Sequence, residues 1–124
     1  MSQTVVDSVM GRLRLKERWL DVGDNLHYLN GRERDLMEYL MQRPNQVCSA
    51  KEIVEGAWGI GYGEANARCQ ISFLRRKIEK NPKDPRIIRT VSSGHLGSGY
   101  IILTSTKREA VFLNSLQRLG GKTK

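Results

Sequence analysis

The stretch EANARCQISFLRRKIEK, residues 64–80, decides the fold of this chain. Its apolar side chains recur at intervals of four, three and four residues, the spacing that aligns them on one face of an α-helix: Ala67, Ile71, Leu74 and Ile78. The opposite face is basic and polar, with Phe73 among its residues. Pro82 and Pro85 follow, and neither can continue a helix. The stretch therefore predicts a helix with one buried face and one exposed, basic face.

Two shorter helices are predicted before this one. Each opens with a capping-box pattern, in which an N-cap residue is followed three positions later by a glutamate: Asn30 with Glu33, and Ser49 with Glu52. Apolar residues at helical spacing extend the first helix over residues 31–43, and Pro44 ends it. The second helix is short, because the glycine-rich loop 59–63 follows it closely. Residues 31–80 thus predict a three-helix core.

Strand patterns flank the predicted helices on both sides. Residues 11–29 contain three short runs separated by turn residues, which predict a small antiparallel sheet. Residues 86–104 predict a β-hairpin with a long, glycine-rich tip. We interpret residues 1–10 as an N-terminal tail, so that one domain spans residues 11–104.

The C-terminal residues 105–124 are predicted to form an amphipathic helix followed by a short tail. The apolar stripe of this helix is a candidate dimer interface, and its residues are Val111, Phe112, Leu116 and Leu119. The same stripe could equally pack on its own domain.

The distribution of charge indicates the kind of partner. The 124 residues include 21 Lys and Arg against 13 Asp and Glu, a formal net charge of +8. Residues 1–64 hold 8 basic and 10 acidic side chains, whereas residues 65–124 hold 13 and 3. A basic cluster of this density favours a polyanion as partner over a merely solvated surface.

Composition also excludes several classes of protein. An apolar content of 39% with 27% charged residues is typical of a globular domain and not of a disordered chain. No apolar run approaches the roughly 18 residues of a membrane helix, and the first ten residues lack a secretory signal, so we expect a cytoplasmic protein. Cys48 and Cys69 lack the spacing of a metal or redox site, and no catalytic constellation can be assembled. We expect no enzyme activity, metal or cofactor.

The order of these elements is that of a winged helix-turn-helix, an α+β fold whose third helix enters the major groove of DNA and whose hairpin, the wing, reaches the neighbouring groove. Residues 32–100 also resemble the effector domain of OmpR/PhoB-type response regulators. The matching stretches follow one another in the family's order: Glu33 to Leu40, Pro44 to Ser49 with Glu52, Ala57 to Gly59, Ile71 to Ile78, Asp84 to Val91, and Gly99 with Tyr100.

The resemblance implies which residues contact DNA. The candidates lie on the third helix and the wing, and they are Asn66, Arg68, Cys69, Ser72, Phe73, Arg75, Arg76, Arg89, Thr90, Ser92 and His95. Arginine can pair with guanine in a bidentate manner, and Phe or Cys can meet the methyl group of thymine. Phe73 could instead contact a partner protein or the C-terminal helix, and His95 could simply be exposed to solvent.

The chain departs from the family's pattern in ways that bear on function. Residues 67–71 read ARCQI where VDVHI is common, and Phe73 and Ser92 stand where basic residues are frequent. The wing is longer than usual, and the 124 residues contain no receiver domain. These differences predict a base preference of its own and control by something other than aspartyl phosphorylation within the chain.

Two functional hypotheses follow. The first is a transcriptional regulator that binds specific double-stranded DNA, as a homodimer on repeated or palindromic half-sites. The alternative is a winged-helix module that binds RNA polymerase or another regulator through Phe73, the loop 59–63 or the terminal helix.

Overall fold

A four-stranded sheet, three helices and a two-stranded hairpin make up the part of the chain that the computed structural model describes, residues 3–23, 25–59, 61–93 and 97–104. The elements are β1 (Gln3–Ser8), β2 (Gly11–Lys16), β3 (Trp19–Val22), β4 (Asn25–Tyr28), α1 (Gly31–Met41), α2 (Ala50–Ile53), α3 (Glu64–Ile78), β5 (Arg89–Ser93) and β6 (Gly97–Ile101). A π-helical turn, Val54–Trp58, continues α2. The predicted α+β winged helix-turn-helix is confirmed.

The N-terminal sheet has one strand more than the sequence predicts. All six residues of β1 pair antiparallel with β2, from Gln3 opposite Lys16 to Ser8 opposite Gly11. The interpretation of residues 1–10 as a tail is therefore wrong for residues 3–8. Val6 of β1 is buried in the core, so this strand contributes to folding. The run of β-branched residues over 4–6 is the signal for a strand, but it is too short to establish an alternating pattern by itself.

The first two helices begin where the capping boxes predict, and the first and third end slightly earlier than expected. The side chains of Asn30 and Ser49 each accept a hydrogen bond from the backbone N–H of the glutamate three residues later. The carboxylate of that glutamate accepts one from the backbone N–H of the N-cap residue. The first helix ends at Met41 and the third at Ile78, two residues before their predicted ends. In the third helix the reason is Glu79, whose backbone is extended at φ −84° and ψ 140°.

The predicted buried face of α3 forms the centre of the core. Ala67, Ile71, Leu74 and Ile78 are all buried, in one cluster with the inward side chains of the sheet and of the other two helices. The helix therefore has its opposite face free to meet other molecules.

The wing differs from its prediction at both ends. Strand β5 continues to Ser93 and strand β6 begins at Gly97, so the connection between them is shorter than the predicted tip. Ile87 and Ile88, which the sequence places in the first wing strand, are buried before that strand begins. Their backbone N–H groups donate hydrogen bonds to the carboxylate of Glu79 and not to the backbone of a neighbouring strand.

A backbone ladder attaches the wing to the core. Cys48 and Tyr100 exchange two hydrogen bonds, N to O distances of 2.9 and 2.8 Å, which join β6 to the segment between α1 and α2. The predicted amphipathic helix and its candidate interface residues Val111, Phe112, Leu116 and Leu119 lie outside the described residues.

We predict that Gly99→Ala weakens the attachment of the wing. A Cβ atom at Gly99 would overlap the backbone carbonyl of Cys48, and backbone cannot move aside as a flexible side chain can. We expect the free energy of unfolding in urea to fall by about 1–3 kcal/mol. The control is Gly31→Ala, whose added Cβ would meet Arg18 at an ordinary 3.7 Å and should be neutral or slightly stabilising. Equal stability of the two variants would contradict the prediction.

Candidate nucleic-acid interface

The exposed face of α3 brings together most of the candidate contacts on that helix. Six candidates have solvent-exposed side chains there: Asn66, Arg68, Cys69, Ser72, Phe73 and Arg76. They share one side of the helix because the buried residues take the other. The surface combines hydrogen-bonding groups, cations and one aromatic ring, as a helix that reads base edges requires.

The two cations of this face, Arg68 and Arg76, make only weak contacts within the protein. Arg68 lies 3.5 Å from Glu64 one turn earlier, an exposed pair that stabilises the helix little. The guanidinium of Arg76 lies 5.6 Å from the centroid of the Phe73 ring. Phe73 itself remains 41% exposed. Both arginines can therefore reorient towards an approaching phosphate or base.

Arg75 has a different environment from its neighbours on the helix. Its guanidinium donates to the carbonyl of Ile88 from Nε at 3.2 Å and from Nη2 at 2.7 Å, and Nη2 also donates to the hydroxyl of Thr90 at 2.8 Å. Burial lowers the pKa of this half-buried side chain from its usual value. Arg75 thus ties α3 to the wing, and a contact of Arg75 with DNA stays a prediction.

The remaining wing candidates differ in exposure. Arg89 is half-buried, and burial lowers its pKa. Its Nε atom has no hydrogen-bond partner among the residues that the structure describes. Thr90 and Ser92 are exposed on β5. His95 lies outside the described residues.

Two concavities lie where α3 meets the wing. The larger, about 680 Å³, has Arg68, Arg76 and Lys83 in its lining beside Ser72 and Tyr100. The smaller, about 280 Å³, lies at the start of α2 and includes Lys51 in its lining. Lys51 is not among the residues predicted from the sequence to contact DNA, although its place at the start of a capped helix is a signal that could have found it.

One cation of the basic cluster, Lys77, is committed to partners within the fold. The ammonium of Lys77 lies 2.6 Å from a carboxylate oxygen of Glu33 and also donates to the carbonyl of Tyr28 at 3.1 Å. Glu33 is only 1% exposed, so this ion pair is buried on one side. A count of charges along the sequence cannot distinguish such a cation from one without an intramolecular partner.

The described part of the chain contains neither a candidate metal site nor a helix that could span a membrane. No group of three or more His, Cys, Asp or Glu residues there could hold a metal ion. No helix among those residues is long and apolar enough to cross a membrane.

The fold and the exposed face of α3 define a winged-helix domain of the DNA-binding class. A family model described as "Transcriptional regulatory protein, C terminal" matches residues 24–102. The chain belongs to this family, the OmpR/PhoB-type DNA-binding effector domains of transcriptional regulators. It is a family of regulators and not a class of enzymes.

Proteins of similar sequence support the family assignment. The chain is 33% identical over 96 residues to the DNA-binding dual master transcriptional regulator RpaA of Synechocystis, a match of 76% of this chain and 37% of that protein. It is 30% identical over 102 residues to the sensory transduction protein RegX3 of Mycobacterium tuberculosis, with 81% and 43% covered. The match therefore covers less than half of each relative.

Solved structures share the fold. The response regulator DrrB of Thermotoga maritima, an OmpR/PhoB homologue, matches with a TM-score of 0.66 at 21% identity, covering 82% of this chain and 45% of DrrB. The DNA-binding domain of CadC from E. coli matches with a TM-score of 0.65 at 20% identity, covering 84% and 94%. At these identities the two structures support the fold alone.

We predict that Lys77→Met destabilises the domain more than Lys80→Met. Both changes remove one positive charge and keep the aliphatic stem, but Lys80 is exposed, whereas loss of the Lys77 ammonium leaves the buried Glu33 carboxylate without its cation. Urea denaturation should show a loss of about 1–3 kcal/mol for Lys77→Met. The Lys80 variant should stay within about 0.5 kcal/mol of the parent. Similar losses in both would contradict a structural role for Lys77.

We predict that the two thiols differ in reactivity. Cys69 is exposed on α3, whereas Cys48 is fully buried, and burial raises the pKa of the Cys48 thiol. A chromogenic disulfide reagent should therefore titrate one thiol rapidly in the folded protein and both in denaturant. The fast phase should disappear in Cys69→Ser. Two fast thiols in the folded parent would contradict the assignment.

Proposed function

We propose that the chain is a sequence-specific double-stranded DNA-binding transcriptional regulator, in which α3 enters the major groove and the wing reaches the adjacent groove. The observation that carries the proposal is the exposed polar and cationic face of α3, beside a concavity of about 680 Å³ that is lined by α3, residues 81–83 and Tyr100 of the wing. A helix held by one buried face and exposed on the other can be inserted into a groove without disturbing the core.

We assign different contacts with DNA to the short side chains and to the arginines of α3. Asn66, Cys69 and Ser72 are short and exposed, and we assign them to base edges, with Phe73 against a thymine methyl. Arg68 and Arg76 flank them, and we assign both to phosphates or guanine. Affinity then depends strongly on salt, because each neutralised phosphate releases counterions.

The proposed assembly on DNA and the proposed control of activity follow from the size of the domain and from the residues present. One module of this size covers little DNA, so we propose a homodimer on two half-sites. The interface assigned to it is the apolar stripe within residues 105–124. We also propose that the protein acts in the cytoplasm and responds to something other than phosphorylation of a receiver domain in this chain.

A second candidate function rests on exposed aromatic side chains. Phe73 is exposed on α3, and Tyr62 is exposed after the π-helical turn. The guanidinium of Arg32 contacts the rings of both Tyr62 and Trp58, 4.4 and 5.7 Å from their centroids. Such a cluster suits a protein partner, for which RNA polymerase or another regulator is the candidate.

The test is enrichment of binding sites from a random DNA pool, followed by a salt titration of two charge-matched variants. Arg76→Ala should weaken binding to the enriched site about tenfold and lower the slope of log affinity against log salt by about one. Arg14→Ala removes the same charge from the sheet face turned away from the core and should change the affinity by less than about twofold.

Two outcomes would contradict the proposal. Equal effects of the two variants would mean that net charge, and not the face of α3, determines binding. Failure of the parent to enrich any motif would reject sequence-specific regulation. The second function would then be supported if Phe73→Ala reduced binding to purified RNA polymerase.

A further inference from the structure

Glu79 occupies a special position between the two elements assigned to DNA. It follows the last residue of α3 directly and is only 7% exposed. One carboxylate oxygen accepts the backbone N–H of Arg86 at 2.7 Å and of Ile87 at 3.0 Å. The other accepts the N–H of Ile87 at 3.0 Å and of Ile88 at 2.8 Å. One side chain thus binds three successive peptide groups just before β5 begins.

The carboxylate is itself fixed to α3. The backbone N–H of Glu79 donates to the carbonyl of Arg75 at 2.9 Å, so the residue remains bonded to the last helical turn. Ile78, Ile87 and Ile88 surround the site and are buried. Hydrogen bonds to a charged acceptor are stronger than neutral ones, and exclusion of water strengthens them further.

Arg75 holds the same peptide segment from its other side. Glu79 binds the N–H of Ile88, and Arg75 binds the Ile88 carbonyl and the Thr90 hydroxyl. The two side chains lie four residues apart on α3 and at its end, which places them on the same side of the helix. Arg75 of α3 and Glu79, which follows α3 directly, therefore fix the residue that precedes the first wing strand.

We propose that Glu79 is a positioning residue that sets the placement of the wing relative to α3 and, through it, the DNA sequence preference of the domain. This inference rests on the proposed function. A site that is read by two elements at once is recognised best when their separation is fixed before binding. Binding without sequence preference, in which either element contacts only phosphates, does not require that the separation be fixed.

The remaining attachments of the wing make the proposal testable in a folded protein. The pair of hydrogen bonds between Cys48 and Tyr100 holds β6 independently of Glu79. Loss of the Glu79 contacts should therefore loosen the β5 side of the wing without releasing the hairpin.

The experiment compares Glu79→Gln with the parent, both as full chains, on an enriched site and on random duplex. The glutamine amide has one acceptor oxygen in place of two. We expect binding to the enriched site to weaken about tenfold while binding to random duplex changes less than about twofold. The substitution also removes a negative charge, which alone would strengthen binding to DNA, so a weaker specific complex cannot be a charge effect. Hydrogen exchange of the Arg86, Ile87 and Ile88 amides should accelerate.

Two controls separate positioning from charge and from stability. Asp84→Asn removes the same charge from an exposed residue of the same connection, and its specificity should equal that of the parent. Ile78→Val loosens the core beside Glu79 and should lower stability without changing the ratio of specific to random binding. Glu79→Asp keeps the charge on a shorter side chain and should show an intermediate ratio, and it replaces Glu79→Gln if that variant does not fold.

The outcomes distinguish this inference from the proposed function. A parent that prefers one sequence, with an unchanged ratio in the Glu79 variants, overturns the positioning role and leaves the regulator intact. The positioning role is equally overturned if Ile78→Val lowers the ratio as much as Glu79→Gln does. A parent without any preference overturns the regulator and the positioning role with it.

Discussion

The buried carboxylate of Glu33 is the constraint on which the arrangement of sheet and helices depends. It accepts the backbone N–H of Asn30 at 2.9 Å, which completes the cap of α1, and it pairs with the ammonium of Lys77 in α3. The same ammonium binds the carbonyl of Tyr28 at the end of β4. A buried carboxylate without these partners would be strongly destabilising, so sheet, first helix and third helix must meet in one geometry. That geometry fixes the rotation of α3 about its own axis.

The rotation of α3 determines which of its side chains are left to contact another molecule. Its apolar residues fill the core, and Lys77 faces the first helix. Arg75 and Glu79 face the wing. The remaining surface is the one that carries Cys69, Ser72 and Phe73. A small rotation of α3 would break the ion pair of Lys77 with Glu33 and move apolar residues of the core towards solvent.

The sequence predicts local features well and partners across the fold poorly. The periodicity of α3 and both capping boxes are local, because their contacts join residues three or four positions apart, and the structure confirms them. The strand β1 and the late start of β5 depend on partners outside their own run of residues, β2 and Glu79, which the pattern of one short run cannot show. The contacts of a cation within the fold are likewise a tertiary property, so Arg75 and Lys77 could not be separated from Arg76 in advance. The direct contacts with DNA stay predictions at every position.

The 13 basic side chains of residues 65–124 overstate the number of cations that this domain can offer to DNA. Lys77 neutralises a buried carboxylate, Arg75 is bonded to the wing, and Arg89 is half-buried. Cations committed to the protein release few counterions on binding, because counterion release requires direct neutralisation of phosphates. If α3 reads DNA as proposed, less of the affinity comes from charge than the sequence suggests, and more must come from the fit of two elements into two grooves. The acid and the base that fix the wing to α3 would then serve recognition as much as stability, since they use charge to maintain that fit.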